Sequence, residues 1–314
     1  MMNMEQLLKD AERISSLEIQ GATNIAINAI QFLSNYAKRL KSENVEQCFK
    51  DLYKAVAILV DTRPTEPAMK NGLKYIMNRL EQEKANCYTE FISDLIEKYK
   101  DQYHGMLQSA KKRIAIIGAR RIPAVEKKFT VMTHCHSSLV TGILLEAKRE
   151  NKNFKVVNTE TQPRLQGRKT AKELINSGIE VIHIVDSAMR WAVRYFQVNL
   201  IIIGADSITS EGTIINKIGS RLLALVAHEE HIPFYVASPL LKYNPETNLG
   251  ILETIEMREP KEVWENPPKG IEVLNPAFET VSRRYIDGLI TEAGIFATSH
   301  VPNYFAKLYP EMIS

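Results

Sequence analysis

The sequence predicts a two-domain α/β protein, with an N-terminal helical domain over residues 1–124 and a doubly wound parallel-sheet domain over residues 125–314. The chain has 314 residues, which exceeds the usual size of a single domain. In its first part, apolar residues recur near the roughly 3.6-residue period of an α-helix. Beyond Lys127, short strand-like apolar runs alternate with amphipathic helical segments, which is the pattern of a βαβ array.

The composition is that of a globular protein, with 45% hydrophobic and 25% charged residues. A formal net charge of +3 is too small to indicate a nucleic-acid partner. No apolar run approaches the roughly 18 to 20 residues that cross a bilayer, and Met1 to Asp10 lacks the apolar core of a signal peptide. We therefore expect a cytoplasmic protein that binds neither a membrane nor nucleic acid directly.

Two loops divide the helices of the N-terminal domain. Ser15 to Gly21 precedes the second predicted helix. Thr62 to Pro67 contains two prolines, which remove backbone donors and restrict the preceding residues, so a helix must end there. The apolar run from Arg113 to Ala119 fits either a strand or a helix. We favour a helix, because the run continues an unbroken helical pattern from Phe91 and Pro123 stops it shortly after.

Strands and helices alternate in the second domain, which predicts a Rossmann-like, doubly wound sheet. Strands are predicted at Phe129–Met132, Phe154–Asn158, Val181–Val185, Leu200–Ile203 and Phe234–Ala237. Helices are predicted at Leu139–Arg149, Thr170–Ser177, Ser187–Tyr195, Lys217–Glu230 and, last, Tyr285–Glu292. Met257–Gly270 is rich in charge and proline and is predicted to form a surface excursion.

Polar residues follow each predicted strand of the sheet in succession. Because the carboxyl ends of parallel strands meet at one edge, these residues are expected to line the edge where open α/β sheets bind ligands. They are Cys135, Glu160–Arg164, Asp186, Asp206 and Ser238–Lys242.

Cys135 differs in context from the other two cysteines. The three are widely spaced with no Cys-x-x-Cys pair, so neither a zinc site nor a disulfide framework is indicated. Cys48 and Cys87 fall in helix-like segments, where we expect small buried side chains. Cys135 instead lies in Thr133–Ser138, which reads as a strand-to-helix turn at the ligand edge.

Cys135 and Asp206 could divide acid and base roles between them. A carboxylate directly after a buried strand is partly desolvated, which raises its pKa, whereas cationic neighbours lower the pKa of a thiol and make it a thiolate. The alternative, which spacing alone leaves open, is that Asp206 caps the following turn and Cys135 only packs.

His134 and His136 flank Cys135 but are not expected to activate it. Neighbouring residues in an extended segment point to opposite faces, so neither imidazole is directed at the thiol. Three nearly adjacent ligands also cannot converge easily on a metal, so we predict neither a metal site nor a cofactor.

Basic residues in predicted loops indicate a phosphorylated small molecule as the ligand. Arginine matches phosphate oxygens with a planar fork, and lysine supplies a point charge. The argument depends on these residues sharing the ligand edge, since each alone is an ordinary surface charge. They are Arg63, Arg164, Arg168, Lys217 and Lys242.

Six motifs in combination resemble one superfamily over essentially the whole chain. It joins methylthioribose-1-phosphate isomerases, ribose-1,5-bisphosphate isomerases and the regulatory subunits (alpha, beta, delta) of translation initiation factor 2B. Within it, the chain is most similar to the archaeal ribose-1,5-bisphosphate isomerases. The motifs are Thr133–Ser138, Arg164–Gly167, Gly204–Ile208, Gly212–Gly219, Ile232–Ala237 and Asn275–Phe278.

The resemblance implies an aldose-ketose isomerase in which Cys135 and Asp206 perform acid-base chemistry along an enediolate-type path. The implied reaction converts ribose 1,5-bisphosphate to ribulose 1,5-bisphosphate. Implied substrate-binding residues are Gln20, Gly21, Ala22, Thr23, Arg63, Ser137, Ser138, Leu139, Asn216, Lys217 and Lys242. The resemblance also implies a homodimer or homohexamer, with a nucleotide such as AMP as an effector.

Two positions depart from the isomerase pattern. Gln20 to Asn24 stands where the isomerases typically have Arg-Gly-Ala-Gly-Arg, and losing charge-assisted phosphate contacts costs on the order of a few kcal/mol of binding. Glu279 stands where an aspartate usually follows Asn-Pro-Ala-Phe.

The N-terminal departure at Gln20 to Asn24 favours a second hypothesis, a non-catalytic regulatory subunit that binds a sugar phosphate or nucleotide and contacts translation initiation factor 2. The initiation-factor subunits generally lack the paired cysteine and aspartate. Because the chain keeps both Cys135 and Asp206, the enzyme is the leading hypothesis.

Overall fold

The computed structural model describes residues 2–40, 44–86, 88–251, 253 and 255–312. Two compact units are present, one formed by Met1–Gln108 with Phe305–Ser314 and the other by Ser109–Tyr304. Helix α5, Ile92–Ala119, continues past the division between the units. The domain boundary at residue 124 stays a prediction. Cys87, which was predicted to be buried, lies outside the described residues.

The first unit is helical, as predicted. Its core contains fully buried Leu33, Leu52 and Leu73 together with Tyr75 and Tyr103. The Thr62–Pro67 break is confirmed, because one helix ends at Asp61 and the next begins at Pro67, where a missing N–H costs nothing. The helices are α1 Met2–Ser15, α2 Ala22–Arg39, α3 Val45–Asp61, α4 Pro67–Glu83 and the first part of α5. The helix predicted for Arg113–Ala119 is the end of α5.

The second unit contains the predicted parallel sheet. The strands of this sheet are β1 Phe129–Thr133, β2 Phe154–Thr159, β3 Glu180–Ile184, β4 Leu200–Gly204, β7 Phe234–Ala237, β9 Gly288–Thr291 and β10 Gly294–Phe296. Their order in the sheet is β10-β9-β7-β4-β1-β2-β3, and all pairs are parallel except β9 with β10. The helices of this unit are α6 Ser138–Arg149, α7 Gln166–Asn176, α8 Met189–Tyr195 and α9 Ser220–Glu229. Helix α10, Val301–Leu308, continues past the division between the units at Tyr304.

A second, three-stranded antiparallel sheet was not predicted. It consists of β5 Ser207–Ile208, β6 Ile214–Lys217 and β8 Phe278–Val281, in the order β5-β6-β8. Lys217 was predicted to begin a helix, but it is the last residue of β6, and α9 begins only at Ser220. Gly219, with φ of 100°, breaks the chain between the two elements.

The predicted last helix, Tyr285–Glu292, is wrong. Arg283–Tyr285 forms a short 3₁₀ turn, and Gly288–Thr291 is strand β9, which pairs in parallel with β7 and is buried throughout. A short apolar run does not distinguish a buried strand from a helix. Here the segment is a strand because it pairs with the edge of β7. The last helix is α10.

The sheet has its topological switch point between β1 and β4, which are hydrogen-bonded neighbours. From β1 the chain moves outward to β2 and β3, then returns to place β4 on the other side of β1. Val131, Ile143 and Ile202 are fully buried there. Ligands of open α/β sheets bind beyond the strand ends at such a point. Among the described residues, no helix is long and apolar enough to cross a membrane.

Candidate active site

Cys135 follows β1 directly and is held by its backbone from both sides. Its N–H donates to Thr161 Oγ1 at 2.9 Å, and its carbonyl accepts from Thr170 Oγ1 at 3.0 Å. Its φ is 66°, a left-handed conformation that non-glycine residues adopt rarely and that functional sites often retain. The two threonines therefore fix the thiol at the end of β1.

A chain of hydrogen bonds connects the Cys135 backbone to a buried histidine. His134 Nε2 lies 2.8 Å from the Ile218 carbonyl, which can only accept, so Nε2 carries the proton. Nδ1 then accepts from the Thr159 hydroxyl at 2.6 Å, and Thr159 Oγ1 lies 3.4 Å from Thr161 Oγ1. Burial lowers the pKa of His134, which keeps the ring neutral. Its role is to hold this chain together, and neither ring nitrogen is left for the thiol.

His136 and Asp186 also support the loops around Cys135. His136 Nδ1 lies 3.1 Å from Thr170 Oγ1, the hydroxyl that donates to the Cys135 carbonyl. Asp186, predicted at the end of β3, accepts from the backbone N–H groups of Thr161 and Gln162 at 2.8 and 2.7 Å. These contacts clamp the segment that follows β2.

Asp206 lies beyond the end of β4, beside Cys135 beyond the end of β1. Its N–H donates to the Ile215 carbonyl at 2.9 Å, which ties this turn to the second sheet. Lys242 Nζ donates to the Ala205 carbonyl at 2.6 Å, directly before Asp206. The charges of Asp206 and Lys217 both act on the Cys135 thiol. The structure thus brings Cys135, Asp206 and Lys217 together at the switch point.

The Cys135 thiol is a weaker acid than the sequence indicated. Its pKa is raised to about 11, chiefly by burial. Lys217, a backbone hydrogen bond from His136 and Arg258 only partly oppose the rise, and the Asp206 charge adds to it. The expected thiolate is therefore wrong, because desolvation outweighs the nearby cations. At neutral pH, Cys135 carries its proton.

Lys217 is the buried cation of the site, with 7% of its surface exposed. Its Nζ lies 4.5 Å from the centre of the Phe278 ring. Burial is the main cause that lowers its pKa, and Arg258 adds to the effect. Asn216 Nδ2 donates to Ser220 Oγ at 2.8 Å, which orders the turn after Lys217.

Glu279 caps helix α9. One carboxylate oxygen, Oε1, accepts from the N–H groups of Gly219 and Arg221 at 2.5 and 3.0 Å. The glutamate that departs from the isomerase pattern thus stabilises the turn after Lys217, since an anion at a helix N-terminus pairs with its unsatisfied N–H groups.

The N-terminus of α6 faces the same strand ends. Ser137 is its N-cap and accepts from Val140 N at 3.5 Å, and Ser138 is exposed at the first helical position. Leu139 has a buried side chain in the hydrophobic core, so only its backbone N–H could contact a ligand. The first N–H groups of a helix attract phosphate oxygens.

The remaining predicted site residues lie in the helical unit. Gly21, with φ of 88°, is the N-cap of α2, and Ala22 and Thr23 begin that helix. Gln20 Nε2 donates to the Leu17 carbonyl at 2.8 Å. Arg63 is buried, with Nη2 3.3 Å from Glu66 Oε1. Their contact with a ligand at Cys135 stays a prediction.

Gln166 and Arg258 were missed as site residues. Both line a small pocket with Lys217. Gln166 Oε1 is buried and has no hydrogen-bond partner among the described residues. The Arg164–Gly167 motif contained the signal for Gln166. No sequence signal pointed to Arg258, because it lies in a charge-rich segment predicted to be a surface excursion.

Arg164 and Arg168, both predicted as phosphate contacts, are paired with carboxylates. Arg164 Nη1 lies 3.4 Å from Glu262 Oε1, and Arg168 Nη2 lies 3.8 Å from Glu160 Oε2. Arg164 lines the pocket beside Lys217.

Solved structures share this fold over most of the chain. A Pyrococcus horikoshii structure described as translation initiation factor eIF-2B has a TM-score of 0.78 at 28% identity, covering 93% of this chain and 97% of that one. The 5-methylthioribose 1-phosphate isomerase of the same species has a TM-score of 0.76 at 28% identity, covering 96% and 88%.

Sequence comparison gives the family. The ribose 1,5-bisphosphate isomerase of Thermococcus kodakarensis is 39% identical over 313 residues, which covers 96% of this chain and 93% of the relative. The methylthioribose-1-phosphate isomerase of Caldanaerobacter subterraneus subsp. tengcongensis is 32% identical over 298 residues, covering 90% and 85%. The family model described as the initiation factor 2 subunit family matches residues 18–298. The predicted resemblance is confirmed, and this chain belongs to the initiation factor 2 subunit family.

Proposed function

We propose that this protein is a sugar-phosphate isomerase that converts ribose 1,5-bisphosphate to ribulose 1,5-bisphosphate, with Cys135 and Asp206 as the acid-base pair. The prediction of an enzyme is confirmed by relatives that are 36 to 39% identical over most of the chain and are named as isomerases. The observation that carries the proposal is the meeting of Cys135, Asp206 and Lys217 at the switch point of the sheet.

In the first half of the reaction, we take protonated Cys135 as the acid and Asp206 as the base. The neutral thiol donates a proton to the ring oxygen as that oxygen leaves C1 of the sugar. The Asp206 carboxylate accepts the proton from C2, and the electron pair of the C2–H bond forms the C1=C2 bond of an enol phosphate.

The second half returns both groups to their starting states. Asp206 donates its proton to C1, and the Cys135 thiolate accepts the proton of the C2 hydroxyl as the ketone forms. A thiolate whose pKa is about 11 is a strong base for this step. Protons and electrons balance over the cycle, and no other reactant is required.

Phosphate binding is assigned to groups around this pair. Lys217 supplies a desolvated charge, the N-terminus of α6 at Ser137 to Leu139 supplies backbone N–H groups, and Asn216 and Lys242 complete the set in this unit. Gln20 to Thr23 and Arg63 are proposed from the resemblance, together with a homodimer or homohexamer and AMP as an effector.

The test is turnover of ribose 1,5-bisphosphate by the purified protein, followed by ³¹P NMR as ribulose 1,5-bisphosphate forms. We expect Cys135→Ser and Asp206→Asn to reduce kcat by roughly 10² to 10⁴, the usual contribution of a positioned acid or base. Circular dichroism and binding of inorganic phosphate serve as controls for folding. A wild-type protein without turnover, or variants with unchanged turnover, would contradict the proposal.

A second candidate is a regulatory subunit that binds a sugar phosphate or nucleotide without converting it. Gln20 and Asn24, which replace the arginines of the isomerases, favour this alternative. It requires stable association with translation initiation factor 2 in size-exclusion chromatography, with calorimetric binding of AMP or ribose 1,5-bisphosphate and no product. Turnover without that association supports the isomerase.

A further inference from the structure

Arg258 is brought to the site by a segment that folds back on the second sheet. Its N–H donates to the Asn275 carbonyl at 2.9 Å, and Ala277 N–H donates to the Glu256 carbonyl at 2.9 Å. Met257 and Pro276 form an antiparallel bridge between these bonds. The segment predicted as a surface excursion is therefore anchored next to β8 at this end.

Arg258 and Lys217 lie against the same aromatic ring. Lys217 Nζ is 4.5 Å from the Phe278 ring centre, and Arg258 Cζ is 5.7 Å from it. The Arg258 side chain is 11% exposed, and both cations line the small pocket that also contains Gln166. Two largely buried cations are thus held close together against one ring.

Such an arrangement is unfavourable without an anion. Arg258 helps to lower the pKa of Lys217, which is the repulsion expected between close like charges. Glu256 Oε1 lies 3.1 Å from Arg258 Nε and balances part of this charge. Within the described ranges of the chain, the Nη groups of Arg258 form no hydrogen bond. They can still form a fork with two oxygens of one phosphoryl group.

We propose that Arg258 and Lys217 bind one phosphoryl group of the substrate between them, and that Arg258 determines the specificity of the protein for a sugar phosphorylated at this subsite. This inference rests on the proposed function for the identity of the sugar.

The test compares Arg258→Gln with the wild type in turnover and in binding. Removing the fork should raise KM for ribose 1,5-bisphosphate by about 10- to 100-fold, as expected for charge-assisted hydrogen bonds, with a smaller change in kcat. Calorimetric affinity for inorganic phosphate should fall similarly. Arg258→Lys should restore only part of the affinity, because a point charge cannot form the fork.

Two controls separate this role from a structural one. Arg190→Gln removes an exposed arginine paired with Glu229 elsewhere in the unit and should change neither quantity. Glu256→Gln removes the carboxylate that pairs with Arg258 and should leave phosphate affinity unchanged or increase it. If the pair were only structural, Glu256→Gln would weaken phosphate binding as Arg258→Gln does.

The outcomes also distinguish the subsite from the proposed function. If Arg258→Gln turns over substrate normally, with unchanged KM and unchanged phosphate binding, the subsite proposal is wrong. The isomerase proposal would be unaffected. Loss of phosphate binding in Arg258→Gln, with a wild type that never forms the ketose, supports the subsite and contradicts the isomerase.

Discussion

At the residue scale, Cys135 shows how desolvation decides the chemistry of a thiol. Lys217 and Arg258 both favour its ionised form, yet burial raises its pKa from 9.0 to about 11. His134 stays neutral because burial lowers its pKa, although its hydrogen bond to the Ile218 carbonyl opposes this shift. The proposed cycle needs the protonated form of Cys135, since a thiolate could not donate the first proton.

The raised pKa predicts slow alkylation of Cys135 at neutral pH. The rate with iodoacetamide, followed by peptide mass spectrometry, should rise about tenfold per pH unit and level off only near pH 11. Because the folded pKa exceeds 9.0, the stability that this group contributes is complete below pH 9.0 and is lost as the pH rises through about 11.

The control for this prediction is the same cysteine in urea-unfolded protein, whose rate should level off near pH 9.0. Cys135→Ser identifies the alkylation that belongs to other cysteines. If the alkylation rate of the folded protein levels off below pH 9.0, Lys217 and Arg258 lower the pKa of Cys135 by more than burial raises it. The proton transfers assigned to Cys135 and Asp206 would then be reversed.

At the scale of elements, the start of α7 is pressed against the end of β2. Gly167 N–H donates to the Glu160 carbonyl at 3.1 Å, and Asn158 Nδ2 donates to the Gly167 carbonyl at 2.7 Å. A Cβ on Gly167 would lie only 1.7 Å from the Thr159 carbonyl oxygen. The close approach matters for the site, because Thr159 and Thr161 carry the hydrogen-bond chain to Cys135.

Gly167→Ala should therefore destabilise the protein by about 1 to 3 kcal/mol or more, since backbone cannot move aside as a flexible side chain can. Urea unfolding followed by circular dichroism measures the change. Gly142→Ala in α6 is the matched control, because its new Cβ would be no closer than 3.8 Å to Ala115 Cβ. That variant should gain up to about 1 kcal/mol from helix propensity. Equal free energies of unfolding for the two variants would refute the packing account.

Elements were predictable where a long periodic pattern was present. The helices of the first unit and strands β1, β2, β3, β4 and β7 follow from apolar period and turn residues. Lys217 and Gly288–Thr291 were assigned to helices, because a four-residue apolar run carries no period. Their strand conformation comes from pairing with β8 and β7, which lie far away in sequence.

At the scale of the whole molecule, the family and fold agree with the resemblance over nearly the full chain. Assembly is a separate prediction that follows from that resemblance. Light scattering of the purified protein should give a mass two or six times that of the 35.7 kDa chain. Dilution should leave that mass unchanged over the range used for turnover assays. A mass of one chain at all concentrations would contradict it.

The candidate site was only partly visible in the sequence. Cys135, Asp206 and Lys217 lie in motifs, and the rule that parallel strand ends share an edge places the first two together. Gln166 lies within the Arg164–Gly167 motif, but the motif alone does not show that its side-chain oxygen is buried in the pocket beside Lys217. Arg258 could not be found, because one arginine in a charged, proline-containing segment resembles any solvated charge until the fold shows what it packs against.

Local patterns along the chain were enough to predict the parallel α/β sheet, the helical unit before it and the strand ends that carry Cys135 and Asp206. The reason is that apolar period and turn residues are local properties of the chain. Two features of the site become visible only in the folded chain: burial raises the pKa of the Cys135 thiol, and Arg258 lies with Lys217 against the Phe278 ring. Desolvation and the proximity of charges depend on groups that meet only after folding.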